Sequence, residues 1–422
     1  MLRLTLVALL LAPLTACTDT GTFTDGGPDT GQLDTGPIDL GPPADAYVNP
    51  CGSGAAPVIT GTVYAPNGTD PVAGATVGVA ISLPALPASV QCERCTASGR
   101  FATQTFTDAD GTFRLERIPG GDISLVLQKG YFRRVLDLKV DCAAPNIAID
   151  KAQGTLPGKS AQYGPRDIVP RIAVVTGVWD NLEKVLDKLG VADKTVFNGK
   201  DLGTGPGSLQ ALLQNAALLR TYHLVFINCG TQFENLVTSD SPARNAIREY
   251  VRQGGRLFVT DLSYDFIEQV FPEYIDFEGS DGTGATIPED HNAAEVGTKD
   301  LTINAEVTDT QLRDWLALPE INALGADKHV ELVGFKTGWT VAKKGDDTLG
   351  VKVWVQGPAR WIGGSGTRPL TMSYDFLDKD RQGCGRVLFS SYHAFGNAPV
   401  LLAQERILEY LMLEMGNCIS IK

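Results

Sequence analysis

Histidine, basic clusters and long apolar runs are scarce in this chain. Four histidines stand in 422 residues, and no two lie at a metal-binding spacing, so no metal site is expected. His223 precedes an apolar run, and His291 and His329 sit in loop-like surroundings. No run of Lys and Arg occurs, and the formal net charge is −13. This excludes nucleic acid as a partner, because phosphate binding needs concentrated cationic side chains. The N-terminal apolar run, residues 4–14, is too short to cross a bilayer as a mature helix. No cofactor is expected, and no G-x-S-x-G nucleophile frame surrounds any serine considered below. An apolar content of 43% nevertheless fits a folded protein, and the length suggests two or three domains.

The N-terminus reads as a targeting segment. Arg3 supplies a positive start, LTLVALLLAPL an apolar stretch, and Leu14-Thr15-Ala16-Cys17 a small-residue approach to a cysteine. This resembles the lipobox of bacterial lipoproteins. The resemblance implies a signal peptide over 1–16 and lipidation of Cys17, which would make the membrane a partner through the N-terminal lipid. Thr18, where an Asp would resemble an inner-membrane retention signal, leans the expectation towards the outer membrane; which face is left open. Residues 17–55 then read as a tether. Positions 18–50 hold six Asp with no Lys or Arg among Gly, Pro and Thr, too little apolar surface to offset ordering entropy. Export favours disulfides. Setting Cys17 aside leaves Cys51, Cys92, Cys95 and Cys142 for two bonds in the first half. Cys384 and Cys418 remain for a third, with Cys229 left over.

Residues 56–150 are short runs of Val, Ile, Leu and Thr punctuated by Gly, Pro, Asn and Asp, the pattern of a small all-β sandwich. ITGTV (59–63), PVAGATV (71–77), TDADGTFRL (107–115), IPGG (118–121) and KGY (129–131) stand in the order and spacing of the carboxypeptidase regulatory-like domain, which the segment closely resembles. The resemblance implies a prealbumin-like spacer or binding module. Residues 84–104, with Cys92 and Cys95, read as an insertion, and Asp108 to Gly111 as a hairpin turn rather than a calcium loop. Gly and Pro mark 151–170 as a linker.

From 171 to 422 the pattern becomes α/β. RIAVVT, LVFIN, RLFVT and GRVLFSSY are buried-type strands separated by helical repeats, which predicts a parallel sheet, with an antiparallel insertion between about 280 and 380. YHLVFIN (222–228), EYVRQGGRL (249–257) and GRVLFSSYH (385–393) resemble the class I glutamine amidotransferase-like fold, a flavodoxin-like architecture. In active members a cysteine on a tight elbow attacks and a histidine with an orienting acid serves it. By element order the elbow follows RLFVT, where Thr260-Asp261-Leu262-Ser263 has neither cysteine nor glycine. Cys229 is displaced by one element. Tyr392-His393-Ala394-Phe395 keeps the aromatic and the histidine but loses the proline and glutamate, leaving Glu405 or Glu409 to orient His393.

The expectation is therefore a lipid-anchored envelope protein acting as a non-catalytic binding or scaffolding module. Its partner would be an envelope protein or a polysaccharide. The catalytic alternative is a hydrolase or amidase using Ser263 or Cys229 with His393. A third reading is polysaccharide binding through Trp339, Trp354 and Trp361, whose competing role is packing.

Overall fold

The computed structural model describes residues 47–92, 101–201, 203–230, 234–237, 241–279, 293–299, 301–335, 338–377 and 383–417. Cys17, Cys95, His291 and Cys418 lie outside them.

Two small sheets form first. Strands β1 (Val58–Thr62), β4 (Thr112–Leu115) and β7 (Asn146–Ala148) make one, in the order β4-β1-β7. Strands β2 (Thr76–Ala80), β3 (Phe101–Phe106), β5 (Gly121–Lys129) and β6 (Phe132–Val140) make the other, in the order β3-β2-β5-β6. Alternation along the strands sends Ile59, Phe113 and Leu115 from the first, and Val77, Leu125 and Leu127 from the second, into one core. The Asp108–Gly111 stretch is a turn in which Gly111 N–H donates to Asp108 O at 2.9 Å.

Residues 151–170 are packed. Asp150 caps the short helix α1 (Lys151–Gly154), Leu156 and Val169 are buried, and Ile168 bridges to Arg133. The same core runs on into Ile172, Leu182, Val185 and Leu186, and the compact unit containing every described residue begins at Asp39.

A mixed sheet of eleven strands follows. Its parallel part comprises β8 (Ile172–Val175), β9 (Thr195–Phe197), β10 (Leu224–Ile227), β11 (Arg256–Thr260) and a late strand, Gly385–Ser390, in the spatial order β9-β8-β10-β11-late strand. Strands β8 and β10 are apolar and buried at every position because helices pack on both faces, including α2 (Leu182–Lys188) and the helix Pro242–Arg252. The latter begins on Ser241, whose hydroxyl accepts from Arg244 N–H at 3.1 Å, with Pro242 in the first turn. The late strand also pairs antiparallel with Gly364–Phe376, which pairs with Lys352–Trp361 and so on to Leu301–Val307 and His329–Phe335. Strands between 296 and 376 therefore extend the sheet in antiparallel fashion, while Ile275–Phe277 and Ala342–Gly345 pair as a separate two-stranded sheet. The far end of the extension curls back: Gly334 O accepts from His393 N–H at 2.9 Å. A Cβ at Gly334 would lie 2.4 Å from His393 O, so only glycine permits this approach.

The disulfides correct one expectation. Cys51 pairs with Cys142, but Cys92 pairs with Cys384, not with a cysteine in its own half, and Cys384 is not joined to Cys418. The reason is where the insertion travels. Val90 N–H donates to Arg220 O, and Arg171 and His223 both bond Pro87 O, so the segment lies along the α/β core and brings Cys92 to the start of the late strand.

Candidate functional site

Register explains how the polar residues meet. Strand β10 pairs with β11 so that Ile227 stands beside Val259, and β11 pairs with the late strand so that Thr260 stands beside Ser390. Cys229 and Asp261 are each two residues past a registered pair, and His393 is three residues past Ser390. All three therefore gather at the carboxyl ends of adjacent parallel strands, where sites of open α/β sheets form. Asp180, on the loop after β8, joins them.

His393 Nε2 lies 2.7 Å from Asp261 Oδ2, and neither side chain has any exposed surface. The other carboxylate oxygen, Oδ1, accepts from Thr340 N–H at 2.6 Å, a bond supplied by the antiparallel extension. Asp261 has φ of +46°, a left-handed conformation uncommon outside glycine but accessible to Asp. It thus occupies the sharp strand-to-helix turn after RLFVT. Cys229 Sγ donates to Asp261 Oδ2 at 3.5 Å. Burial pushes the Cys229 thiol well up, and the Asp261 and Asp180 charges push it further, so it is a neutral thiol rather than a thiolate.

Asp180 is the second knot. Its Oδ2 accepts from Cys229 N–H at 3.2 Å and from the Thr260 hydroxyl, and its Oδ1 accepts from Ala394 N–H at 2.8 Å. Burial raises its carboxyl, opposed by the neighbouring His393 charge and these hydrogen bonds. One carboxylate thus ties three strand ends together.

The residues proposed from sequence fare differently. His393 and Cys229 do converge, with the donor atoms of Cys229, Asp261 and His393 all within 4.8 Å of one another. Ser263 is buried and its hydroxyl donates to Asn228 O at 2.9 Å. Neither Glu405 nor Glu409 orients His393. Glu405 takes Lys188 at 2.6 Å and accepts from Gly396 and Leu402 N–H, and Glu409 pairs with Arg406 at 3.2 Å. Sequence reasoning missed Asp261 and Asp180. Asp261 had a signal: it is the residue directly after the strand where element order places the elbow. Asp180 had none, since the four loop residues 176–179 separate it from β8.

Trp339 is fully buried, donates to Thr298 O at 2.9 Å and packs on Phe335. Lys352 lies over the Trp354 ring at 3.6 Å and Arg368 over Trp361 at 4.5 Å.

No protein-family model and no curated protein matches the chain. Among solved structures, it is similar to the cytoplasmic protein STM3548 from Salmonella typhimurium at 14% identity and TM-score 0.32, over 58% of this chain and 98% of that one. A second, the cytoplasmic protein STM1381 from Salmonella typhimurium LT2, gives 12% identity and TM-score 0.32 over the same shares. Gan42B, a GH42 β-galactosidase from G. stearothermophilus, gives 12% identity and TM-score 0.26, over 60% of this chain and 31% of that one.

Proposed function

We propose that the chain is an envelope-anchored lipoprotein whose carboxyl-terminal region keeps an amidotransferase-like fold without its chemistry and serves as a binding or scaffolding module. The parallel strand order, 2-1-3-4-5 when those strands are numbered along the chain, is that of flavodoxin-like sheets and supports the fold assignment. The paired small sheets are compatible with a regulatory-like sandwich as the spacer between anchor and module.

One observation carries the non-catalytic reading. The elbow residue is Asp261, already bonded to Thr340, Cys229 and His393, and all the groups that could act are sealed from solvent. A nucleophile needs an accessible approach and a base free to take its proton. Here Cys229, Asp261, Ser263 and His393 are all fully buried and Cys229 is protonated, so neither an approach for a substrate nor an activated thiolate is present. The hydrolase reading with Ser263 or Cys229 therefore has no open approach for a substrate, although Asp261 stands where an acid would orient His393. The test is turnover by the full chain on a panel of amides and esters, beside His393→Ala. The reading expects no turnover above background. Turnover lost in a folded His393→Ala variant would establish the hydrolase instead.

A further inference from the structure

The strand ends collect more than a hydrogen-bond knot. A thiol, a carboxylate and an imidazole, from three different elements, point their donor atoms at one buried spot, with all three atoms within 4.8 Å of one another. We propose that Cys229, Asp261 and His393 form a site for one borderline-soft divalent transition metal of the zinc class, taken up as the chain folds.

The donor chemistry selects the class. Sulfur and imidazole nitrogen suit zinc and its neighbours, whereas calcium and magnesium require oxygen ligands. Two of the three donor separations are close to what such an ion needs. At tetrahedral angles and usual bond lengths, sulfur and oxygen donors stand about 3.6 Å apart, and nitrogen and oxygen donors about 3.3 Å. Cys229 Sγ and Asp261 Oδ2 are 3.5 Å apart. His393 Nε2 and Asp261 Oδ2, at 2.7 Å, must separate by only about 0.6 Å, a small swing of the imidazole.

The surroundings hold the ligands as outer partners of metal sites do. Thr340 N–H fixes Asp261 Oδ1, which leaves Oδ2 turned to the cluster. Leu262 N–H, beside the Cys229 sulfur, opposes the rise of the thiol and so favours a thiolate. Asp180 binds the Cys229 and Ala394 amides, so it fixes the backbone beside two of the three ligands. The left-handed backbone at Asp261 is a strained conformation that persists only where its surroundings demand it. Binding breaks the Cys229 S–H bond. The sulfur lone pair goes to the metal and the proton to solvent; a second proton leaves where His393 is charged. No oxidation or reduction is involved.

This inference is independent of the non-catalytic reading, because its readout is spectroscopic. The full chain is unfolded with a chelator, refolded with a slight excess of Co2+ and desalted. The expected result is one Co2+ per chain with a near-ultraviolet sulfur-to-cobalt charge-transfer band and the strong visible bands of a four-coordinate ion, its fourth position filled by a water trapped with the metal as the chain folds. Cys229→Ser should remove the charge-transfer band, and Cys95→Ser/Cys418→Ser should keep it. His393→Gln, which leaves every thiol in place, should weaken retention at least about tenfold. Refolded chain that retains no Co2+, or retains it with a spectrum unchanged by both Cys229→Ser and His393→Gln, would overturn the proposal. Should Cys229→Ser not fold, the wild-type band and His393→Gln decide it.

Discussion

His393 Nε2 rests 2.7 Å from Asp261 Oδ2 with neither side chain exposed to solvent. A pair this deep contributes little net stability, because desolvation opposes its attraction, but removing one partner strands the other. His393→Ala is therefore expected to cost about 3–5 kcal/mol in chemical denaturation. Asp261→Asn is the useful companion, since Asn tolerates the left-handed backbone and removes only the charge. The double variant should recover part of the His393→Ala loss, and the cycle should give a coupling within the ~0.5–3 kcal/mol usual for touching groups.

The crossing of Cys92 to Cys384 makes a second prediction. A digest under non-reducing conditions should yield the peptide containing Cys92 joined to the one containing Cys384, and Cys51 joined to Cys142. Recovery of Cys384 joined to Cys418 would contradict the path of the insertion described above. Cys384→Ser should lower stability by about 2–4 kcal/mol, the usual effect of losing a bond that closes a long loop.

His223 makes the third. It is buried where the insertion meets the sheet: its Nδ1 accepts from Arg171 N–H at 3.1 Å and its Nε2 faces Pro87 O at 3.2 Å. Burial, and then the Arg171 charge, lower it from 6.5 to about 4. The unfolded chain therefore takes a proton on this ring before the folded chain does. Stability from His223 is complete above pH 6.5 and is lost as pH falls from 6.5 towards about 4. Denaturation at about pH 7.5 and about pH 5 should differ by roughly 2 kcal/mol more in wild type than in His223→Gln. Glu409 has the opposite sign. Burial, then the Asp70 charge beside it, raise its carboxyl, so its contribution is complete below the ordinary carboxylate range and declines as pH rises from there through its raised value.

Much of the framework was legible in the sequence for identifiable reasons. LVFI is apolar throughout and RLFVT has an apolar centre between Arg256 and Thr260, and both are strands buried at every position because both faces of a parallel strand are covered. Ser241-Pro242 announced a helix start by chemistry that needs no tertiary context. The Cys92 bond was illegible because pairing depends on a path through space, and 292 residues separate its two ends. The site was half legible. His393 and Cys229 stood out by residue type. Asp261 carries no nucleophile signal in the sequence, although an aspartate can hold a left-handed turn. The sealing of the site could not be read at all, since it depends on Gly334 and Thr340 from a distant extension folding back over the strand ends.

The most direct test of the non-catalytic account is to expose the native full chain to a small thiol-directed electrophile and to a serine-directed fluorophosphonate, then locate adducts by mass spectrometry. The account predicts that Cys229 and Ser263 remain unmodified while the protein is folded and that Cys229 is alkylated once it is unfolded. Stoichiometric modification of either residue in the native chain, abolished by His393→Ala, would show an open and activated site and contradict it.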